Sequence, residues 1–556
     1  MNDMIAFVLG ISSIFFIAFL ISLQQYISRI KNIKNSILNN YGKDIDLNKV
    51  DLKMDSISSY FRNKNDNLAI DNITWNDLNM DDVFKKINNT QSTVGTEVLY
   101  DILRNPIYEE SKLIKRNYLI EYLRKNEKER QELQYILGKL GKSNDLYTSS
   151  CLFNKLENSN NKFLMYKILS YIPIITLILG FVKNEFFILS IISIIVNIYI
   201  SQNNKKYNLN TDSFSYIISL ISTANKINNL KIKEINENFK KIDEDLNEVK
   251  KIKNKYIKSS MNSVMSDLDV FSEYIDMVFL NDLKRYEKIR DVVIRKCENI
   301  KAIYEFVGSI DAFIGVASFR ESLNYFCNPI LRFTEHKDEC ILEFENIYHP
   351  LIKTPVGNSG SFSKGVLVTG SNASGKSTFL KSVAINAVLG QTIYTCCANN
   401  YISSYFNIFT SMALKDDVFS NESYYIVEIK SLKRIIDSFE NDKPCLCFID
   451  EILRGTNTVE RIASSCEVLD YISNNNCLCF AATHDVELTY MLENKFDNYH
   501  FEESISDDDI KFDYKLHKGR AQSRNAIKLL KFIGYDENIV LKAEARAERF
   551  LETSKW

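Results

Sequence analysis

The chain has 556 residues, 45% of them hydrophobic and 25% charged, with a formal net charge of −2. This leaves room for about three or four folded domains, excludes a wholly disordered chain, and gives no electrostatic footprint of a polyanion partner. The eleven cysteines are scattered and there are five histidines, so zinc-ligand spacing is not offered.

In chain order, Met4–Leu23 is an uncharged, mostly apolar run long enough to cross a bilayer as one helix. A cleaved signal peptide fits it poorly, because no cation precedes it and no small-residue cleavage site follows. Residues 1–70 therefore read as a transmembrane anchor and linker. A helical core segment is expected over 71–160, broken at Gly95 and Pro106. Phe163–Val182 and Phe186–Ile200 are two further apolar runs, separated by Lys183, Asn184 and Glu185. Within 161–203 they predict a transmembrane hairpin. The second run is short for a full span, so a re-entrant hairpin and two buried core helices stay open as alternatives. Arg29, Lys31 and Lys34 follow the first run, and Lys205 and Lys206 follow the third. By the positive-inside rule, residues 24–162 and everything after 201 face the cytoplasm. The expected location is the cell membrane, multi-pass, with the C-terminal domain cytoplasmic. Neither Pro nor Gly occurs from Phe181 to Val307, and 204–335 reads as a region of long, charge-rich helices.

From about Cys340 the pattern changes. Strand-like runs (GVLVTG, CLCFID, CLCFAAT) alternate with amphipathic helices. This predicts an α/β domain over 336–556 with a mostly parallel sheet covered on both faces. Cys445 and Cys447, then Cys477 and Cys479, fall two apart in two of these runs. They are expected as small core residues of buried strands.

GVLV leads into Gly370, Ser371, Asn372, Ala373, Ser374, Gly375, Lys376, Ser377 and Thr378. This is G-x4-G-K-[ST] in a strand–loop–helix context, which predicts a P-loop for the phosphates of ATP. Backbone N–H groups wrap the phosphates, Lys376 reaches the outer ones and Ser377 ligates Mg²⁺. CLCFIDE ends in Asp450, expected in the Mg²⁺ shell, and Glu451, expected to polarise the attacking water. A third run ends at Thr483 and His484, where the imidazole could contact the γ-phosphate.

In combination these motifs resemble the ATPase domain of the MutS mismatch-repair family, an ABC-type branch. TGSNASGKST at 369–378 is similar to that family's TGxNxxGKST. Asp450-Glu451-Ile452-Leu453-Arg454-Gly455-Thr456 is similar to its DE-x-x-RGT, and Ala482-Thr483-His484-Asp485-Val486-Glu487-Leu488 to its ATH-x-x-EL. Asp416, Asp417, Glu422, Ser423 and Tyr424 resemble the segment whose Ser completes the partner subunit's ATP site, and Tyr348-His349-Pro350-Leu351 resembles the entry into the domain. Upstream, Ser92, Gly95, Leu99, Leu103 and Pro106 fit the helical-core pattern [ST]-x-x-G-x-x-x-L-x-x-x-L-x-x-P, and Gly308–Pro329 resembles the end of the lever helices. The resemblance implies an Mg²⁺-dependent ATPase with Glu451 and His484 as catalytic residues. It also implies a homodimer with Ser423 acting in trans, dimer opening and closing, and DNA as a ligand. The family's mismatch-reading domain, with its Phe-x-Glu wedge, is expected to be missing. The alternative is a membrane-associated mechanical ATPase acting on protein or membrane partners without mismatch recognition. An ABC-type transporter and an ATP-binding scaffold are more distant rivals.

Overall fold

The computed structural model describes residues 23–25, 27–64, 69–142, 148–153, 162–203, 205–249, 275–334, 339–371, 374–412, 424–440, 443–505, 510–521 and 526–553. Most of the first apolar run, Asn372, Ala373 and the segment carrying Asp416, Asp417, Glu422 and Ser423 lie outside the described residues. Two compact units divide the chain. Unit 1 comprises Met1–Asn67, Ile87–Ile102 and Lys115–Ser322; unit 2 comprises Leu68–Lys86, Leu103–Ile114 and Leu323–Trp556.

The main helices preceding the sheets include α1 (Asn72–Asp77), α2 (Met80–Ile87), α3 (Thr93–Arg104), α4 (Glu110–Lys125), α5 (Glu127–Leu140), α6 (Phe163–Gly180), α7 (Glu185–Asn203), α8 (Lys205–Asn229), α9 (Asn281–Arg295) and α10 (Cys297–Ser322). Unit 1 is built on α10. Three helices among the described residues are long and apolar enough to cross a membrane: α6, α7 and α10. They differ in burial, which is 83% for α10 but 22% for α6 and 11% for α7. The apolar length of α10 is therefore accounted for by the core of unit 1.

The pairing of α10 with α3 explains the small residues of both. The Asp311 carboxylate of α10 accepts hydrogen bonds from Gln91 N (2.9 Å) and Ser92 N (2.8 Å) and from the Ser92 hydroxyl, capping the start of α3. A Cβ on Gly95 would lie 2.1 Å from Asp311 Oδ2, and one on Gly308 would lie 2.4 Å from Val98 Cγ2. Both positions must be glycine for the helices to approach this closely. Burial raises the Asp311 carboxyl above its usual range, and the Ser92 and Gln91 hydrogen bonds partly offset it.

α6 and α7 form an antiparallel hairpin. Pro173 within α6 lacks an N–H, which leaves the Leu169 carbonyl without its helical donor. The buried Asn197 carboxamide of α7 donates to that carbonyl (3.1 Å) and also to Val278 O (2.8 Å). Ser190 Oγ donates to Pro173 O at 3.1 Å, and Lys284 Nζ of α9 to Ser170 Oγ at 3.1 Å. Tyr166, Leu280 and Leu283 close an apolar cluster at the hairpin base. Farther along, the apolar side chains face outward: Ile168, Ile175, Ile178, Ile188, Ile191 and Ile195 are exposed, and Phe181 at the tip is 83% exposed.

Unit 2 contains β1 (Ile330–Arg332), β2 (Leu342–Ile347), β3 (Asn358–Phe362), β4 (Gly365–Thr369), α11 (Lys376–Ile393), β5 (Asn400–Ser404), β6 (Asn407–Ser411), α12 (Tyr424–Asp437), β7 (Cys445–Asp450), α13 (Thr458–Asn474), β8 (Cys477–Ala482), α14 (Val486–Met491), β9 (Phe496–His500), β10 (Glu503–Ile505), β11 (Ile510–Phe512), β12 (His517–Lys518), α15 (Ala526–Ile533) and α16 (Glu537–Thr553). The main sheet has the order β12-β9-β4-β8-β7-β6 and is parallel except at β12. A second sheet, β1-β5-β2-β3, is mixed. As the alternation of runs predicts, this is a mixed α/β architecture. β7 and β8 pair Cys445 with Cys477 and Cys447 with Cys479, all buried in one apolar cluster with Leu469 and Ile472 of α13. Among the described residues no group of three or more His, Cys, Asp or Glu is arranged to hold a metal, and the four thiols are core packing.

The edge strand β6 is covered by the segment around α1. Asp77 Oδ2 accepts from Thr410 Oγ1 (2.7 Å) and Met412 N (2.9 Å), and Arg434 of α12 pairs with Asp71. Thr410 N donates to Thr74 Oγ1 at 3.2 Å, so side chains of this segment occupy hydrogen-bonding groups at the strand's edge and keep it from pairing elsewhere. Trp75 is buried in the same segment, its ring under the Arg104 guanidinium at 4.2 Å.

Candidate functional site

The site lies at the C-terminal ends of β4, β7 and β8, where ligands of parallel sheets bind. β4 ends at Thr369. The chain then turns at Gly370 (φ 141°) and Gly375 (φ 109°), conformations that side-chain-bearing residues rarely adopt. A Cβ on Gly370 would also sit 2.9 Å from the Phe501 carbonyl. Lys376 opens α11, and its Nζ donates back to Gly370 O (2.8 Å) and Ser371 O (2.7 Å). Ser374 Oγ donates to Ser371 O at 2.8 Å. The loop thus folds around a buried ammonium. Burial lowers the Lys376 pKa, and the charges of Asp450, Glu451 and Glu503 partly offset that.

Two strands deliver the carboxylates. The Ser377 hydroxyl hydrogen-bonds to Asp450, whose pKa burial raises; the adjacent Glu451 charge adds to the rise, while Ser377 and Lys376 oppose it. β7 and β8 remain paired to their ends, with Glu451 N donating to Ala482 O (3.0 Å) and Thr483 N to Val368 O of β4 (3.0 Å). Glu451 and Leu453 then take positive φ (59° and 55°), turning the chain sharply. Glu451 consequently reaches two side chains: His484 Nε2 lies 3.2 Å from Oε1, and the Arg454 guanidinium Nη1 lies 2.6 Å from Oε2. Arg461 holds Asp485, the neighbour of His484, through two hydrogen bonds of 2.9 and 2.6 Å. The arrangement presents a cation in a polar loop beside two carboxylates and an imidazole, chemistry suited to a metal-bound phosphate anhydride and a water.

The structure therefore brings together Gly370, Ser371, Ser374, Gly375, Lys376, Ser377, Asp450, Glu451 and His484. Asn372 and Ala373 of the loop, and Ser423, lie outside the described residues.

Next to the loop is a cavity of about 340 Å³ lined by Gly375, Thr378, Phe379, Ile347, His349, Val356, Phe501 and Tyr514, among others. Burial, reinforced by the Lys381 and Lys86 charges, pushes the His349 imidazole down to about 4, so it is neutral at ordinary pH. Its Nδ1 accepts from Leu351 N at 3.2 Å. Tyr514 has φ 55°, and its loop is pinned by Asn358, which donates to Tyr514 O (3.0 Å) and accepts from Leu516 N (2.8 Å). Flat apolar walls beside a phosphate-type loop suit a nucleobase. Sequence reasoning assigned no role to Tyr514, Asn358 or Glu503. Glu503 and Tyr514 reach the site because the segment that carries them follows β9, which runs beside β4, and Asn358 of β3 joins it by holding Tyr514 and Leu516; no local pattern reveals either.

The family model for MutS domain V matches residues 366–551. Relatives include the DNA mismatch repair protein MutS of Prochlorococcus marinus (strain MIT 9301), 28% identical over 289 residues, which is 49% of this chain and 31% of that protein. The protein of the same name from Finegoldia magna is 27% identical over 285 residues, 49% of this chain and 32% of that protein. That of Clostridium botulinum (strain 657 / Type Ba4) is 26% identical over 279 residues, 47% and 29% respectively. The chain spans about a third of the length of the curated relatives it matches. Over this C-terminal region the chain is similar to MutS domain V.

Proposed function

We propose that this chain is a MutS-family protein that binds ATP with Mg²⁺ and hydrolyses it in unit 2, that it is held in a membrane by its apolar hairpin, and that it acts on DNA as a homodimer. The observation that carries the ATPase reading is the convergence of Lys376, Ser377, Asp450, Glu451 and His484 at the ends of three adjacent strands. Ser377 and Asp450 would hold the Mg²⁺, which when bound neutralises phosphate charge and orients the outer oxygens. Lys376 neutralises the phosphates from inside the loop. Glu451, held between His484 and Arg454, is aimed to take the proton of the attacking water. The neutral ring of His349 and the Tyr514 phenol wall the base cavity. Ser423 would act across the dimer, completing the partner's site as its resemblance implies.

The membrane reading is supported by α6 and α7, of 18 and 19 residues, about 27 Å each, with outward apolar faces along most of their length. Exposure of so much contiguous apolar surface to water would be costly. The flanking cations favour a cytoplasmic unit 2 in a multi-pass protein of the cell membrane. DNA as ligand and mismatch repair as process follow from family membership, and the relatives carry that name.

ATP turnover by the detergent-solubilised chain, measured at low salt with and without perfectly paired, mismatched and branched duplexes, tests the reading. Stimulation by one of these DNAs is expected. Turnover indifferent to all of them, with no DNA binding, would remove DNA from the account.

A further inference from the structure

Glu503 does work at this site that a phosphate-binding loop does not ordinarily need. It begins β10, which pairs antiparallel with β11 in a ribbon separate from the main sheet. The side chain is 9% exposed, and its Oε2 accepts a hydrogen bond from Ser371 Oγ at 2.7 Å. Ser371 O in turn accepts from Lys376 Nζ at 2.7 Å. These two contacts, bridged by one serine, bring the carboxylate and the ammonium within roughly 9 Å. The Glu503 charge acts directly on the Lys376 ammonium. A negative charge buried beneath an anion-binding loop opposes the anion the loop is built to hold.

We propose that Glu503 sets the nucleotide affinity of this site: its carboxylate, fixed on Ser371 under the loop, competes with bound phosphates for Lys376 and weakens their hold. This rests on the nucleotide-site reading above and goes beyond it by assigning an electrostatic counterweight that keeps nucleotide exchange fast. The same ribbon continues from β11 to Tyr514, whose ring lies over Gly375. One short element thus carries both a charge under the phosphates and a wall of the base cavity, so nucleotide binding and the ribbon's position are linked.

The test is a titration of the full-length, detergent-solubilised chain with Mg-ATP, Mg-ADP and pyrophosphate, for wild type, Glu503→Gln and Glu503→Asp. Glu503→Gln keeps the size and the acceptor for Ser371 but removes the charge. At low salt it is expected to lower Kd for ATP about five-fold, on the scale of one unit charge at this distance in a partly screened site. The gain should be smaller for ADP and persist for pyrophosphate, which has no base, and it should appear as slower dissociation. Glu503→Asp, with the charge retained, should stay near wild type, which a merely structural role would not produce. Unchanged or weaker ATP binding by a folded Glu503→Gln protein overturns this inference alone. No binding by wild type or variants overturns the nucleotide-site reading and this inference with it.

Discussion

His349 makes the stability of unit 2 depend on pH in a calculable way. Its folded-state pKa is about 4, against an ordinary 6.5. The unfolded chain therefore takes up the proton first, and stability present above pH 6.5 is lost as pH falls towards 4. Between pH 7.5 and pH 5 the linkage amounts to about 2 kcal/mol. Trp75 is a suitable reporter, since it is buried within unit 2. The chain has two tryptophans, and a Trp556→Phe background leaves Trp75 as the one tryptophan, excited selectively at the red edge of the absorption band. Urea unfolding followed by its fluorescence at pH 7.5 and pH 5, without nucleotide, measures the local transition directly. His349→Gln, neutral at both pH values, should lose about 2 kcal/mol less than wild type between them. Asp450 and the other carboxylates titrate in both proteins and cancel in the comparison. Equal pH dependence in the two proteins would refute the assignment of His349 as a buried neutral ring.

Other consequences are equally open to measurement. Gly95→Ala forces a methyl into Asp311 and should destabilise unit 1 by about 4 kcal/mol through overpacking and loss of the α3 cap; hydrogen exchange in α3 near the wild-type rate would contradict this. Glu97 is fully buried, and burial pushes its carboxyl up to about 8, with Tyr304 and Ser149 partly offsetting it. The sign is opposite to that of His349: stability present below pH 4.5 is lost as pH rises through 8, about 3 kcal/mol of it between pH 5 and pH 8. Glu97→Gln should flatten that slope in hydrogen exchange of α3 and α10. Asn197→Leu strands the Leu169 and Val278 carbonyls. It should loosen the hairpin base by about 2 kcal/mol, seen as faster proteolysis between α8 and α9; an unchanged cleavage rate would argue against the clamp.

The parts of this protein legible in the sequence are those fixed by local chemistry. The glycines of the loop mark backbone turns, and CLCFI and CLCFAA read as buried strands because every position in them is apolar and they are too short for helices. Ser92 and Gly95 were legible as a pattern, but their reason, the Asp311 carboxylate more than two hundred residues away, was not. By length and apolar composition alone, α10 qualifies as a membrane span alongside α6 and α7. Only burial distinguishes them. The cavity beside the loop and Glu503 were hidden for another reason: they depend on β9 running beside β4 and on the ribbon that follows it, a tertiary arrangement without a sequence period. That residues 71–77 cover the β6 edge, three hundred residues downstream, is of the same kind.

The most direct measurement of the central claim is phosphate release from Mg-ATP by the purified full-length chain, compared with its Glu451→Gln variant, alongside ATP binding by both. Turnover that requires Mg²⁺ and falls at least about 100-fold in Glu451→Gln, while ATP binding is retained, is the predicted result. Phosphate release unaffected by Glu451→Gln, or none from wild type that binds ATP, would contradict it.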